Sequence, residues 1–205
     1  MTARGFFQER FRRHGATRDA LEWSARGQRV RFEVIAELAD FHGKRVLDLG
    51  CGLGDLYPFL RQRAGEFDYT GWDFLEEFVA HARQAHPGAR FEVRDALQEV
   101  PEGRYDLVVA SGLHSVESGT NDADMEYLLR RLWDAAGEAV AVNMLSIHAD
   151  RRDEGLHYYD PDRMLRAAFG LTRFSVLRHD YMPHDFTLYL YRRPREFAPV
   201  PPPAP

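Results

Sequence analysis

Arg45-Val46-Leu47-Asp48-Leu49-Gly50-Cys51-Gly52-Leu53-Gly54 is the stretch on which the reading of the fold turns. Four apolar or half-apolar residues run straight into three alternating glycines. A short apolar run of this kind, closed by turn residues, reads as a buried parallel strand. The glycines read as a turn that lets a ligand come close to the backbone, beside the N-terminus of a following helix.

Working outward, the chain alternates strand and helix. A helix follows the loop from about Asp55, with Leu56, Phe59 and Leu60 on one face and Pro58 in its first turn, where a missing N–H costs little. Strands are expected at Phe67–Trp72, Ala89–Val93, Tyr105–Ala110 and Ala139–Leu145. Between them, Leu75, Phe78, Val79 and Ala82 mark one helix, and Met125, Leu128, Leu129, Leu132 and Trp133 mark another. Asn121 or Asp122 is read as the cap of the latter helix and Gly137 as its stop. Asp160-Pro161 opens a further helix, a side-chain cap followed by proline at the first position. Alternation of this kind predicts an α/β fold, doubly wound, with a mostly parallel sheet covered on both faces.

The end of the chain breaks that rhythm. Thr172–Arg178 and Phe186–Tyr191 are strand-like, with only the linker Asp180–Asp185 between them. Such a linker is too short for a crossover helix, so the two strands are expected to be antiparallel neighbours. Before the first strand, Val30, Val34, Ile35 and Leu38 recur at helical spacing. Residues 1–28 are arginine-rich with Phe6, Phe7, Phe11 and Trp23, and read either as a loose extension or as a cap over a cleft. The division expected is residues 1–44 as N-terminal extension or cap and helix, 45–193 as the α/β domain that carries the glycine loop, and 194–205 as a proline-rich disordered tail.

Bulk properties narrow the function. At 205 residues and 44% hydrophobic content the chain suits one substantial core. A net charge of -5 gives no basic excess for a long duplex, so no DNA partner is expected. Cys51 is the single cysteine, which excludes an internal disulfide and a multi-cysteine metal or iron–sulfur site. No apolar stretch approaches about 18 residues, so no membrane association is expected and the cytoplasm is the expected location.

Charge then separates two ligand classes. The dinucleotide fingerprint has G-x-G-x-x-G, and here position 55 is Asp rather than Gly. A carboxylate at that helix start repels a pyrophosphate, whereas a cationic sulfonium with an ammonium group tolerates Asp48 and Asp55. Asp73, with Phe74 after it, follows the second strand, where a carboxylate accepts hydrogen bonds from both ribose hydroxyls. Asp95 follows the third strand, where an acceptor takes an adenine amine.

Val46-Leu47-Asp48-Leu49-Gly50-Cys51-Gly52-Leu53-Gly54 resembles motif I of the class I S-adenosylmethionine-dependent methyltransferases. Thr70-Gly71-Trp72-Asp73, Arg94-Asp95-Ala96 and Tyr105-Asp106-Leu107-Val108-Val109 resemble their second, third and fourth motifs. The resemblance implies a sheet in the order 3-2-1-4-5-7-6 with the last strand antiparallel, which suits the terminal hairpin. It implies S-adenosyl-L-methionine as cofactor, with S-adenosyl-L-homocysteine as product. It sets Gly50, Gly52 and Gly54 against the methionine part, Asp73 on the ribose, and Asp95 with Ala96 at the adenine, with Asp48, Cys51, Asp55, Leu56 and Phe74 as further candidate cofactor-binding residues. Ser111 and Gly112 would line the sulfonium side. Tyr158-Tyr159-Asp160-Pro161 and Arg178–Thr187 are similar to a subgroup of bacterial methyltransferases of uncertain substrate.

Acceptor-side residues are sought at the carboxyl ends of the strands. His114, His148 and His184 fall there, and Tyr158 lies within reach. A histidine near its ordinary pKa of about 6.5 can take a proton from a hydroxyl or amine during transfer. His114, directly after the fourth strand, is the first choice. A rival reading makes His114, His148 and Asp150 or His184 a metal site, but no ligand-spacing motif supports it, and no metal is expected. Ala110-Ser111-Gly112-Leu113 stands where an Asn/Asp-Pro-Pro-Tyr/Phe motif would serve a planar nitrogen, and no cysteine is placed to attack cytosine. The expectation is therefore a small-molecule methyltransferase acting on an O, N or C atom. An RNA or protein acceptor is the first alternative, drawn from the arginines at 4, 10, 12, 13 and 18, and a cofactor-binding module without turnover is the second.

Overall fold

The structure, a computed structural model, describes residues 2–101 and 105–195. The proline-rich tail expected at 194–205 falls, from position 196 on, outside the described residues.

The motif strand is β1 (Arg45–Leu49), followed by α3 (Leu56–Ala64), and it is preceded by α1 (Ala3–His14) and α2 (Ala25–Ala36). The chain continues through β2 (Asp68–Asp73), α4 (Glu76–Ala85), β3 (Arg90–Val93), β4 (Tyr105–Ser111), α5 (Asn121–Ala135), β5 (Ala136–Leu145), α6 (Pro161–Phe169), β6 (Ser175–Met182) and β7 (Asp185–Tyr191). The seven strands form one sheet in the order β3-β2-β1-β4-β5-β7-β6. Pairings from β3 to β5 are parallel, and β7 runs antiparallel to both β5 and β6. This is the α/β order expected from the resemblance.

Strand alternation assigns the two faces. Val46, Leu107, Val109, Ala139, Ala141, Tyr189 and Tyr191 point to one side and pack with Phe32, Ile35, Leu56, Leu60 and Val79 of α2, α3 and α4. Leu47, Leu49, Val108, Ala110, Val140, Val142, Leu188 and Leu190 point to the other and pack with Met125, Leu128, Leu129 and Leu132 of α5 and Met164 of α6. Period-two alternation on both faces of strands β1, β4, β5 and β7 is why their sequences read as unbroken apolar runs.

Several boundaries differ from the sequence reading for physical reasons. Gly137 does not stop α5; it lies within β5, which begins directly after the helix at Ala136. A Cβ on Gly137 would stand 3.2 Å from the Tyr105 carbonyl oxygen, so close strand packing explains the glycine. Asn121 does not cap α5 but opens it, its side chain tying the preceding loop through Ser118 N and the Val116 carbonyl. The linker shrinks to Pro183-His184, because Asp180–Met182 extend β6 and Asp185 already belongs to β7. Residues at the N-terminus form a packed segment. Phe7 and Phe11 of α1 lie edge-on to Phe78 of α4, at ring separations of 6.1 and 5.7 Å, and Arg4 donates to the Phe74 carbonyl.

Candidate active site

The loop after β1 is drawn against the end of β2. Gly50 N and Cys51 N both donate to the Trp72 carbonyl, at 2.8 and 3.0 Å, and Gly52 N donates to Asp73 Oδ2 at 3.0 Å. Leu75 N caps the other carboxylate oxygen of Asp73 at 2.9 Å. Gly50, Gly52 and Gly54 have φ of 74, 53 and 80°, a left-handed backbone that L side chains rarely adopt. With Gly54 N donating to the Cys51 carbonyl at 2.9 Å, four of the loop's N–H groups are thus spent on the protein itself. A pyrophosphate, which needs such groups free, has no cradle there.

The loop lines a narrow cleft of about 70 Å³ together with Asp48, Asp55, Leu56, Asp73 and Ser111. Phe74, Cys51, Gly112 and His114 complete its wall among the sequence-derived residues. Gly54 is not part of this wall: a Cβ there would stand 2.8 Å from the Phe91 ring, so its bareness serves packing against β3. Asp95 and Ala96 are also outside it. The Asp95 carboxylate accepts from Leu97 N and Gln98 Nε2 within its own turn, and Ala96 packs against the core under α5. Cys51 turns its thiol inward, 2.9 Å from where a Cβ on Gly71 would lie, and burial pushes that thiol well above its ordinary pKa.

Two carboxyls dominate the electrostatics of the cleft. Asp48 is 3% exposed, and burial pushes it up to about 7, opposed by a 2.5 Å hydrogen bond from the Tyr69 hydroxyl and aided by the nearby Asp73. Asp73 is pushed up to about 6, again chiefly by burial, against the hydrogen bonds from Leu75 N and Gly52 N. Asp55 accepts from Gln28 Nε2 at 2.9 Å, which links the cleft to α2.

The N-terminal segment closes the cleft. Leu21 lies 3.1 Å from where a Cβ on Gly52 would sit, and Trp23 lies 3.0 Å from the same point on Gly112. Small-ligand pockets usually measure about 300–1,000 Å³. The cleft as closed by Leu21 and Trp23 is smaller than that, while its donor and acceptor set and its two acidic groups suit a cationic, nucleoside-sized cofactor. Ser111 Oγ, buried at the end of β4, has no hydrogen-bond partner among the described residues and lies in the same wall.

Beside the cleft, sharing Leu21, Trp23, Gly112 and Ser115 with it, opens a larger cavity of about 1030 Å³. Tyr158 and His184 line this cavity, and His114 lines the narrow cleft. His148 lines neither; its ring lies 5.9 Å from that of His179. The histidines are thus divided among three places rather than gathered at one mouth. No group of three or more His, Cys, Asp or Glu side chains among the described residues is arranged to hold a metal ion.

Sequence reading missed the partners that give these residues their setting. His114 Nε2 meets Asp124 Oδ2 at 3.0 Å, and the His114 backbone takes a φ of 58° while its carbonyl receives the Tyr159 hydroxyl and Asn121 Nδ2. Arg31, on the buried face of α2, donates from Nε and Nη2 to the two oxygens of Asp185 at 2.9 and 3.2 Å. The signal for Arg31 was present: a charge among Gln28, Phe32 and Ile35 at i−3, i+1 and i+4 on a packed helix face needs a partner. Nothing local pointed to Asp185, which lies 154 positions away.

A family model described as a methyltransferase domain matches residues 46–136. A Mycobacterium tuberculosis (strain ATCC 25618 / H37Rv) protein bearing the name methyltransferase, Rv1506c, is 32% identical over 152 residues, covering 69% of this chain and 89% of that protein. A trans-aconitate 2-methyltransferase of Delftia acidovorans (strain DSM 14801 / SPH-1) is 30% identical over 181 residues, covering 82% of this chain and 62% of that enzyme, so the chain spans less than two thirds of it. Among solved structures, the magnesium protoporphyrin IX methyltransferase of Synechocystis PCC 6803 with bound SAH superposes with a TM-score of 0.70 at 17% identity, covering 93% of this chain and 98% of that one, which is a likeness of fold.

Proposed function

Because this chain belongs to the class I S-adenosylmethionine-dependent methyltransferases, we propose that it transfers the methyl group of S-adenosylmethionine to an O, N or C atom of a small-molecule acceptor. One observation carries the reading: the glycine loop with its two buried carboxyls opens, at the carboxyl edge of the sheet, into a separate polar cavity that shares a wall with it. A donor site and an acceptor site in contact are what in-line transfer requires. The relatives named for small substrates, trans-aconitate among them, agree with a cavity of that scale.

When bound, S-adenosylmethionine supplies a methyl group already activated by a sulfonium. Asp73 would hold the ribose hydroxyls with the lone pairs left by Gly52 N and Leu75 N. Asp48 and Asp55 would offset the cationic end, and the Ser111 hydroxyl and Gly112 would face the sulfonium side. His114 lines the cleft with its Nε2 fixed on Asp124. Asp124 therefore orients the ring so that Nδ1, which has no hydrogen bond among the described residues, takes the proton of an acceptor hydroxyl or amine.

Calorimetry with S-adenosylhomocysteine tests this reading. Submicromolar to micromolar binding is expected, weakened about tenfold or more in Asp73→Ala, where two charge-assisted hydrogen bonds are lost. Preferred binding of a nicotinamide dinucleotide, or no binding of S-adenosylhomocysteine, would overturn it.

A further inference from the structure

The larger cavity has a polar corner that the transfer chemistry does not use. It lies where α2 crosses the carboxyl end of β5 and the amino end of β7. Asn143 pairs with Thr187 and Leu145 with Asp185, so period-two alternation sets Asn143, Thr187 and Asp185 on the face toward α2. Arg31 reaches this face from α2 and grips Asp185 with Nε and Nη2. Its Nη1 has no hydrogen bond among the described residues, although the side chain is only 9% exposed and lines the cavity.

Asn143 supplies the complementary group. The residue is 1% exposed, and its Nδ2 donates to the Tyr181 hydroxyl at 2.8 Å and the Phe186 carbonyl at 3.3 Å. The Phe186 carbonyl can only accept, so it fixes which end of the amide is nitrogen. Oδ1 is therefore the end turned away, and it is buried with no partner among the described residues while the residue contributes to the cavity wall. The Tyr181 hydroxyl also bonds Thr187 Oγ1 at 2.7 Å, so the nitrogen end of the Asn143 amide is tied into the hairpin's own hydrogen bonds. A buried acceptor without a donor is a cost that a ligand bearing the right donor removes.

We propose that Arg31 Nη1 and Asn143 Oδ1 form a recognition pair for a neutral donor–acceptor group of the acceptor molecule, a hydroxyl or a primary carboxamide, held apart from the atom that is methylated. The oxygen of such a group accepts from Arg31 Nη1, and its O–H or N–H donates to Asn143 Oδ1 as ligand binding opens the wall over that atom. A carboxylate does not suit the corner. It brings no proton for Oδ1, and Asp185 already neutralises the Arg31 charge. Nor does the rest of the cavity favour an anion, since five carboxylates face four guanidinium groups around it. The inference rests on the larger cavity being the acceptor site, and it departs from a tricarboxylate substrate such as trans-aconitate.

The test uses four probes of one size on the full chain, labelled with nitrogen-15: phenol, benzamide, anisole and benzoate. Shifts of the Asn143 side-chain amide and the Arg31 Nε–H resonance are followed with and without saturating S-adenosylhomocysteine. Phenol and benzamide should give saturable shifts at both residues and bind about tenfold more tightly than anisole and benzoate, the discrimination expected when a buried polar group is left unpaired. Arg31→Lys keeps a charge for Asp185 but loses Nη1, and should erase the preference even if Asn143→Ala does not fold. Equal binding of all four probes, or no response at Asn143 to phenol and benzamide, would overturn the proposal. Absence of any shift at Gly50–Gly52 on adding S-adenosylhomocysteine would instead overturn the cofactor reading, and the probe series alone would still decide this one.

Discussion

Replacing Asp48 with asparagine should make the protein more stable at high pH and change how its stability depends on pH. Asp48 is 3% exposed at the end of β1, and burial raises its carboxyl from 3.8 to about 7. A carboxyl with a higher pKa folded than unfolded keeps its proton preferentially in the folded state. Its favourable contribution is complete below pH 3.8 and is lost as the pH rises through about 7. At about 1.4 kcal/mol per pKa unit, that rise corresponds to a swing of about 4 kcal/mol across the window. The carboxamide of the Asp48→Asn variant has no such proton to lose, and its oxygen can still accept from the Tyr69 hydroxyl, which lies 2.5 Å from Asp48 Oδ2 in the wild type. Asp73, raised to about 6, titrates in both proteins and largely cancels from their difference. The assay is urea unfolding of wild type and Asp48→Asn at half-unit steps between about pH 4.5 and 8.5. We expect the stability difference, variant minus wild type, to climb by about 2–4 kcal/mol over that range in favour of the variant. Parallel curves, with the difference changing by less than about 0.5 kcal/mol, would refute the assignment of a buried, reluctantly ionised carboxyl at the cleft.

Two further outcomes follow from the site. His114→Gln and Asp124→Asn should each lower the methylation rate of a hydroxyl or amine acceptor by about a hundredfold and flatten its pH profile, with S-adenosylhomocysteine affinity unchanged; an unaltered profile would remove His114 from proton transfer. Leu21→Ala takes the side chain off Gly52 and weakens the closed arrangement of the N-terminal segment, so stopped-flow should show cofactor association accelerated about threefold to tenfold. A slower or unchanged association rate would show that this segment does not gate the cleft.

Legibility in the sequence tracked how local each signal is. The motif strand, its glycines and Asp73 were readable because strand period, left-handed turns and a strand-end carboxylate act within a few residues of one another. The terminal hairpin was readable because a linker that short permits only an antiparallel return. The reading of Gly137 as a helix stop failed because a glycine signals either backbone freedom or lack of room, and only the Tyr105 carbonyl 3.2 Å away distinguishes them. Asp95 was read toward a ligand; its carboxylate accepts from Leu97 N and Gln98 Nε2 in its own turn, and the residue lies outside the wall of the narrow cleft. The histidines were grouped by strand end, but strand ends span the width of a sheet, and side-chain direction then separates His114, His184 and His148.

By itself the sequence determined the α/β alternation, the strand order through its family motifs, the acid-lined glycine loop and the closing antiparallel strand. The alternation, the loop and the closing strand follow from local periodicity and turn chemistry, which need no partner distant in the chain, whereas the strand order came only through the resemblance of the motifs to a known family. Tertiary structure alone decided what surrounds the loop. It brought Leu21 and Trp23 over Gly52 and Gly112, joined Arg31 to Asp185 across 154 residues, and left Asn143 Oδ1 without a donor at the cavity wall. Burial and pairing are properties of packed neighbours from separate segments, and the linear order of residues carries no distance between those segments.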